Sequence, residues 1–483
     1  MSAGVALALL MTACGARVGP YLGASQGVGG GGGATQGSTD TGPAGTGPVA
    51  GPASGPAGPS PAAAAGGGGT PNVAAASQFD FTPQTEAGAC QGAAGNTASA
   101  PGITPNSVTF GNVSGLTGPL SGSFTQGAQG VQALFDAVDA AGGICGRKLA
   151  LVTEDDQQNA STNESDVQGL IAKPVFAFAG STSDADNGGV PDMTKAGIPD
   201  FGFAINCIRS ESSTYWSPAG GSCYQPQGPG QGPYAVGDGT FALDQQQGYL
   251  PKKMAFLAYS IPISAQAAQQ FAYVYQHTFG GDVCYQDTSI SPVSASLESD
   301  VEQMQSNGCQ GVYTFMDVTG NSKLLQALQQ QNVNLGLVGS TFDSYTPVQI
   351  QTAGQSASQK LTIALPFIPL SEHQHMDDMY QSQLKQYVPG AQPSGFGFLA
   401  WLAAQMMIYA VLQAGRNPTW ASLDNALNGL KNFDDGGAVG PYSPGSHGVA
   451  PCTMDVWVQG SDFVRRSPSS GLFCGGQTVQ ASP

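Results

Sequence analysis

Pro174-Val175-Phe176-Ala177-Phe178-Ala179-Gly180-Ser181-Thr182-Ser183 is an apolar run that stops at a glycine and continues as hydroxyls. A strand covered on both faces reads as an unbroken apolar run, not an alternating one, so this stretch predicts a central strand of a parallel sheet. The hydroxyls then fall in the loop at the strand's carboxyl end. Upstream, residues 107–113 predict another strand, and residues 127–141 a helix with Val131, Leu134, Phe135 and Val138 on one side. Residues 148–153 predict a second strand and residues 156–171 a polar helix. The alternation resumes downstream, where strands at 254–259, 311–317 and 335–339 are followed by helices at 264–278 and 321–331 and by a Thr-Phe-Asp-Ser loop. Strands alternating with helices predict an α/β fold of doubly wound, Rossmann-like sheets, with ligands at the strand carboxyl ends.

The chain has 483 residues with 70 Gly and 33 Pro, and is 41% hydrophobic and 10% charged. It is too apolar to be wholly disordered and too long for one ordinary domain. Fifteen Lys and Arg against 32 Asp and Glu give a net charge of −17, which argues against nucleic acid or an anionic membrane surface as the main partner. The apolar stretch 396–412, with Trp401, Gln405, Met406, Met407 and Tyr409, is short for a membrane span of about 20 residues and lies between Gly-rich turns. It predicts a buried core helix.

At the N-terminus, the apolar run 5–11 is too short to span a bilayer but fits a signal-peptide core. Met11-Thr12-Ala13-Cys14 resembles a bacterial lipobox, so residues 1–13 are expected to be a signal peptide and Cys14 the lipidated residue. Residues 14–100 are expected to be a Gly/Pro/Ala-rich tether, because such a composition cannot bury a core. About 75 flexible residues give an end-to-end distance of roughly 45–50 Å. The glycine run 29–33 has neither a preceding strand nor a following Lys-Ser or Lys-Thr, so it is not a phosphate loop.

Nine cysteines without a C-x-x-C pair argue against a thioredoxin-type site or zinc ribbon and suit an oxidising compartment. Setting Cys14 aside leaves eight. These allow about 105 connectivities; near neighbours suggest Cys207 with Cys223, Cys284 with Cys309 and Cys452 with Cys474, leaving Cys90 with Cys145.

His373, His375, Asp377 and Asp378 have the residue types of a metal site, but the segment reads better as a solvated helix start capped by Ser371. Gly-x-Ser-x-Gly, His-Glu-x-x-His and a strand-borne Gly-x-Gly-x-x-Gly do not occur, and His277 and His447 sit in no catalytic motif. The expectation is a protein that is not an enzyme and carries no cofactor or metal.

Three ordered pieces carry a resemblance: Val113-Ser114-Gly115-Leu116-Thr117-Gly118-Pro119-Leu120, Asp139-Ala140-Ala141-Gly142-Gly143-Ile144-Cys145-Gly146-Arg147-Lys148, and Glu154-Asp155-Asp156. Together with Ala196-Gly197-Ile198-Pro199, the strand at Met254 and the turn-rich stretch 439–458, they resemble a Leu/Ile/Val-type substrate-binding protein of an ABC importer. The resemblance covers the chain from about residue 103 onward.

That resemblance implies two α/β lobes joined by a hinge, with a ligand in the interlobe cleft. Lobe 1 is expected at 101–243 plus 363–430, and lobe 2 at 244–362 plus 431–483. The loops expected at the ligand carry Thr117, Ser121 and Phe124; Ser181 and Ser183; Asn206; Tyr259 and Ser260; Asp317; and Phe342 with Asp343. It also implies a monomeric, lipid-anchored protein on the outer face of the cell membrane. Such a protein would capture a small amino acid or related organic acid and deliver it to ABC permease subunits. The same scaffold acting as a ligand sensor is the alternative.

Overall fold

The computed structural model describes residues 90, 95–219, 238–294, 296–447 and 450–474. Strand β1 (Ser107–Ser114) pairs along its whole length with β2 (Lys148–Asp155) on one side and with β3 (Ala177–Ala179) on the other. With β4 (Asp200–Phe201) and β5 (Tyr215–Trp216) they form a five-stranded sheet in the order β2-β1-β3-β4-β5, parallel throughout. Val175, Phe176 and Phe178 are buried, as the unbroken apolar run requires.

A second sheet contains β6 (Lys253–Tyr259), β7 (Asp282–Ile290), β8 (Gly311–Phe315), β9 (Leu337–Ser340), β10 (Leu361–Leu365), β11 (Met454–Gln459) and β12 (Asp462–Ser467). Its order is β12-β11-β10-β9-β8-β6-β7. Strands β6 to β10 are parallel, and the β11–β12 hairpin adds antiparallel to β10.

The longer helices are α1 (Ser121–Ala140), α2 (Ala160–Ala172), α3 (Val190–Ala196), α4 (Asp238–Gln247), α5 (Pro262–Thr278), α6 (Glu298–Ser306), α7 (Val318–Gln330), α8 (Pro347–Ala353), α9 (His375–Tyr387), α10 (Gly395–Gln413) and α11 (Trp420–Gly429). In α1, Phe124, Val131, Leu134, Phe135 and Val138 are buried, the one-sided spacing of an amphipathic helix. Residues 395–412 of α10 are all buried, so this helix, long and apolar enough to cross a membrane, is the core helix expected from its sequence. It packs with α9 along α1. Close approach is possible because a Cβ on Gly130 would lie 2.2 Å from the Gly397 carbonyl oxygen.

The chain leaves the first sheet after β5 and enters the second with α4, whose Phe241 packs on Phe256, Phe271 and Tyr313. It returns to α1 with α9 and α10 after β10, then rejoins the second sheet at β11. The expected crossings at 243–244 and 363 thus fall inside α4 and β10, respectively. Residues 95–100, read as the end of the tether, are held to the body. Asn96 Nδ2 donates to the Cys145 carbonyl at 2.9 Å, and the buried Arg147 donates to the carbonyls of Thr97 and Thr104.

Disulfides join Cys90 to Cys145, Cys284 to Cys309 and Cys452 to Cys474. Cys207 is also disulfide-bonded; its expected partner Cys223, the lipobox Cys14 and the signal peptide lie outside the described residues. Helix α9 is not capped by Ser371, which sits in a separate single turn at Leu370–Glu372. Its cap is Gln374, whose N–H donates to Asp377 at 3.1 Å. Among the described residues no cluster of three or more His, Cys, Asp or Glu is arranged to hold a metal.

Candidate functional site

Both sheets aim their strand carboxyl ends at one cleft of about 720 Å³, its open mouth included. From the first sheet, the loop after β1 supplies Leu120 and the first turn of α1 Phe124, the loop after β3 Asp184, and the loop after β4 Phe203 and Ile205. From the second, the last residue of β6 supplies Tyr259 and the loop after it Ile261, the loop after β8 Asp317, and the loop after β9 Phe342 and Asp343. This is where an open α/β sheet places its ligands.

Most of the lining is apolar. Phe203 and Phe342 meet edge to face with centroids 4.8 Å apart, and Phe396 at the start of α10 stands 5.1 Å from Phe342 and 5.8 Å from Phe124. Aromatic rings at these separations contribute beyond simple area burial.

The polar groups are few. The Tyr259 hydroxyl donates to Asp317 Oδ1 at 2.5 Å, and that same oxygen accepts the N–H groups of Thr319 and Gly320 at 3.1 Å each. Asp317 is therefore both the cap of α7 and part of the wall. Residue 320 must be small, since a Cβ there would lie 2.4 Å from the Tyr259 hydroxyl. Burial, reinforced by Asp317, raises the Tyr259 pKa and keeps its proton in place.

Asp343 accepts from the Thr341 hydroxyl at 2.5 Å. Burial pushes its carboxyl up to about 7, against the Thr341 bond and with Asp317 adding repulsion. Asp184 is also pushed up to about 7, by burial first and then by Asp156; its Oδ1 is buried without a hydrogen-bond partner. The Ser123 hydroxyl on α1 is likewise unpartnered, in a residue only 2% exposed.

Of the residues expected at the ligand, Phe124, Tyr259, Asp317, Phe342 and Asp343 line the cleft. Ser121 and Ser260 lie beside it but do not line it. Thr117, Ser181, Ser183 and Asn206 are committed to the framework. Thr117 Oγ1 donates to Asp155 at 2.7 Å. Ser181 Oγ accepts the Val113 N–H, and Ser183 Oγ accepts the Ala185 N–H, each at 3.1 Å. Asn206 Nδ2 donates to Asp186 at 2.7 Å and to the Asp184 carbonyl at 2.9 Å. Beneath them, buried Arg209 makes a two-pronged pair with Asp200 at 2.8 and 2.9 Å and reaches Asp186 at 3.3 Å.

Asp184, Ser123, Phe203, Ile205, Ile261 and Phe396 were not singled out from sequence. Asp184 directly follows Ser183, so its loop was identified and the facing side chain missed by one residue. Phe396 opens the apolar run that predicts a core helix, and it is cleft wall as well.

A family model described as "Periplasmic binding protein" matches residues 107–458. No curated protein matches the chain in sequence. Among solved structures, a branched-chain amino acid ABC transporter protein from Thermus thermophilus with bound valine is 15% identical, with 76% of this chain and 96% of that chain covered and a TM-score of 0.64. A fatty acid ABC transporter substrate-binding protein from Thermomonospora curvata is 16% identical, with coverages of 79% and 97% and a TM-score of 0.63. A branched-chain amino acid transporter substrate-binding protein from Streptococcus pneumoniae in complex with isoleucine is 14% identical, with coverages of 74% and 98% and a TM-score of 0.61. These likenesses establish the two-lobed α/β fold of type I periplasmic binding proteins.

Proposed function

The chain belongs to the periplasmic binding protein family, and on that premise we propose that it captures a small solute by closing two lobes about a hinge and delivers it to an ABC permease. The family consists of transport binding proteins that work outside the cytoplasm, so the chemistry is recognition and not bond-making. In this reading lobe 1 is the five-stranded sheet with α1 to α3 and α9 to α11, lobe 2 is the seven-stranded sheet with α4 to α8, and the cleft between them closes on the ligand. Lipidation at Cys14 would tether a monomer to the outer face of the membrane.

The observation that carries the proposal is the cleft itself, with walls drawn from strand carboxyl ends of both sheets. An amino acid remains the ligand class suggested by the resemblance. Its ammonium end is supported by Asp184, Asp317 and Asp343; the organic acid half of that expectation has no cationic partner in the lining. A thermal-shift screen of the full chain against amino acids, amines, amides, organic acids and sugars tests the reading. A ligand at 100 times its Kd adds about 2.7 kcal/mol, and silence across every class contradicts solute capture.

A further inference from the structure

The cleft presents three carboxyls, from Asp184 on one wall and from Asp317 and Asp343 on the other, and no Lys, Arg or His among the described lining residues. Residues 220–237, 295, 448–449 and 475–483 contain no Lys, Arg or His either. The whole chain carries a net charge of −17.

Helix N-termini are the other source of anion affinity, through free N–H groups and the helix dipole. At α1 and α7 the amides of the first turn are largely self-satisfied. The Ser123 and Phe124 amides at the start of α1 donate to the Leu120 carbonyl at 3.0 and 3.3 Å. Helix α5 loses one donor to Pro262, which has no N–H, and its Ala265 amide bonds to the Ile261 carbonyl at 3.0 Å, which leaves the Ile263 and Ser264 amides as the donors at this wall. At α7, Asp317 takes the Thr319 and Gly320 amides. Of the framework side chains suited to a ligand carboxylate, Thr117 and Asn206 spend their donors on Asp155, Asp186 and the Asp184 carbonyl, and Ser181 and Ser183 lie outside the cleft lining.

Building on the solute-capture reading, we propose that the cleft takes an apolar organic cation: an amine with an aliphatic or aromatic body and no carboxylate. The ammonium group would bond to the unpartnered Asp184 Oδ1 and to Asp343, converting a buried orphan acceptor into a charge-assisted bond. The unpartnered Ser123 hydroxyl, 2% exposed on the cleft wall, has lone pairs to accept a further N–H. The apolar body would lie against Phe124, Phe203, Phe342 and Phe396, whose ring faces also favour a nearby cation.

The test uses two matched sets on the full chain, by calorimetric titration with a parallel thermal shift. One is phenethylamine, phenylalanine and 3-phenylpropionate; the other is isoamylamine, leucine and 4-methylpentanoate. Within each set the body is constant and only the charged ends change. The expected result is tightest binding of the amine, about tenfold or more weaker binding of the amino acid, and none of the carboxylate. Asp343→Asn and Asp184→Asn should each weaken the amine about tenfold or more without lowering the Tm of the ligand-free protein. Equal or tighter binding of an amino acid or carboxylate overturns the inference and leaves solute capture standing. Silence of both amines also overturns it, and silence of all six compounds together with the wider screen removes the solute-capture reading as well.

Discussion

On the first-lobe side of the cleft, Ser181 and Ser183 accept the backbone N–H groups of Val113 and Ala185, and Asn206 braces Asp186. On the second-lobe side, Tyr259, Asp317 and Asp343 bond locally and still face the cleft. Both sets sit at or just beyond the carboxyl ends of parallel strands, so position alone does not separate them. What separates them is the demand of buried backbone: β3 and β4 have only three and two strand residues, so the Val113 N–H of β1 and the Ala185 N–H of the loop after β3 take Ser181 and Ser183 as partners. Strands β6 and β8 are longer, and the loops after them lie beside α5 and α7, leaving Tyr259 and Asp317 on the cleft wall.

The strongest way to break this contrast is Arg209→Ala. It would leave Asp200 and Asp186 buried beside no cation, a loss of about 3–5 kcal/mol, and denaturant unfolding should show the midpoint falling accordingly. An unchanged midpoint would mean that the first wall is not held by this network. Asp317→Ala should act on both stability and binding: loss of the α7 cap costs about 1 kcal/mol, and the Tyr259 hydroxyl loses its acceptor. Phenethylamine titration and thermal melting of the same variant should therefore both move. Ser181→Ala should cost about 1 kcal/mol by stranding the Val113 N–H while leaving amine affinity within about twofold. An affinity loss without a stability loss would turn Ser181 into a ligand contact.

The pH dependence sharpens the same contrast. Burial pushes Asp184 and Asp343 from 3.8 up to about 7, with Asp156 and Asp186 adding at the first and Asp317 at the second. The folded state then holds protons that the unfolded state has released. The contribution of these groups is fully present near pH 4, falls as pH rises toward 7 and is flat above. Melting of the ligand-free protein from pH 5 to 8 should show that decline, and Asp343→Asn should flatten part of it. Amine affinity should run the opposite way, rising over the same range as the carboxylates ionise.

Much of the fold was legible because its central strands are unbroken apolar runs and its helices have one-sided spacing. Residues 254–259 and the run in α10 lie where their patterns predict, and the run 174–180 is buried with its strand confined to Ala177–Ala179. Strand β7 was missed because, in Asp282–Ile290, only Ile290 is fully buried, so no clear alternation marks it. Strands β10 to β12 were missed because Leu361–Leu365 is short and the hairpin lies in a turn-rich tail. The site was legible as a set of loops but not as a set of side chains. Which hydroxyl is taken up by the framework depends on neighbours distant in sequence, such as the Val113 N–H for Ser181 or the Asp155 carboxylate for Thr117. Asp184 shows the complementary case, in which the residue directly after Ser183 is the one facing the cleft.

Titrating phenethylamine into Asp343→Asn and Ser183→Ala side by side addresses the division of labour between the two walls most directly. Asp343→Asn should lose about tenfold or more in affinity while Ser183→Ala stays within about twofold of the parent protein. The reverse pattern, with the serine variant weakened and the aspartate variant unchanged, would place recognition on the first-lobe hydroxyls and contradict that division.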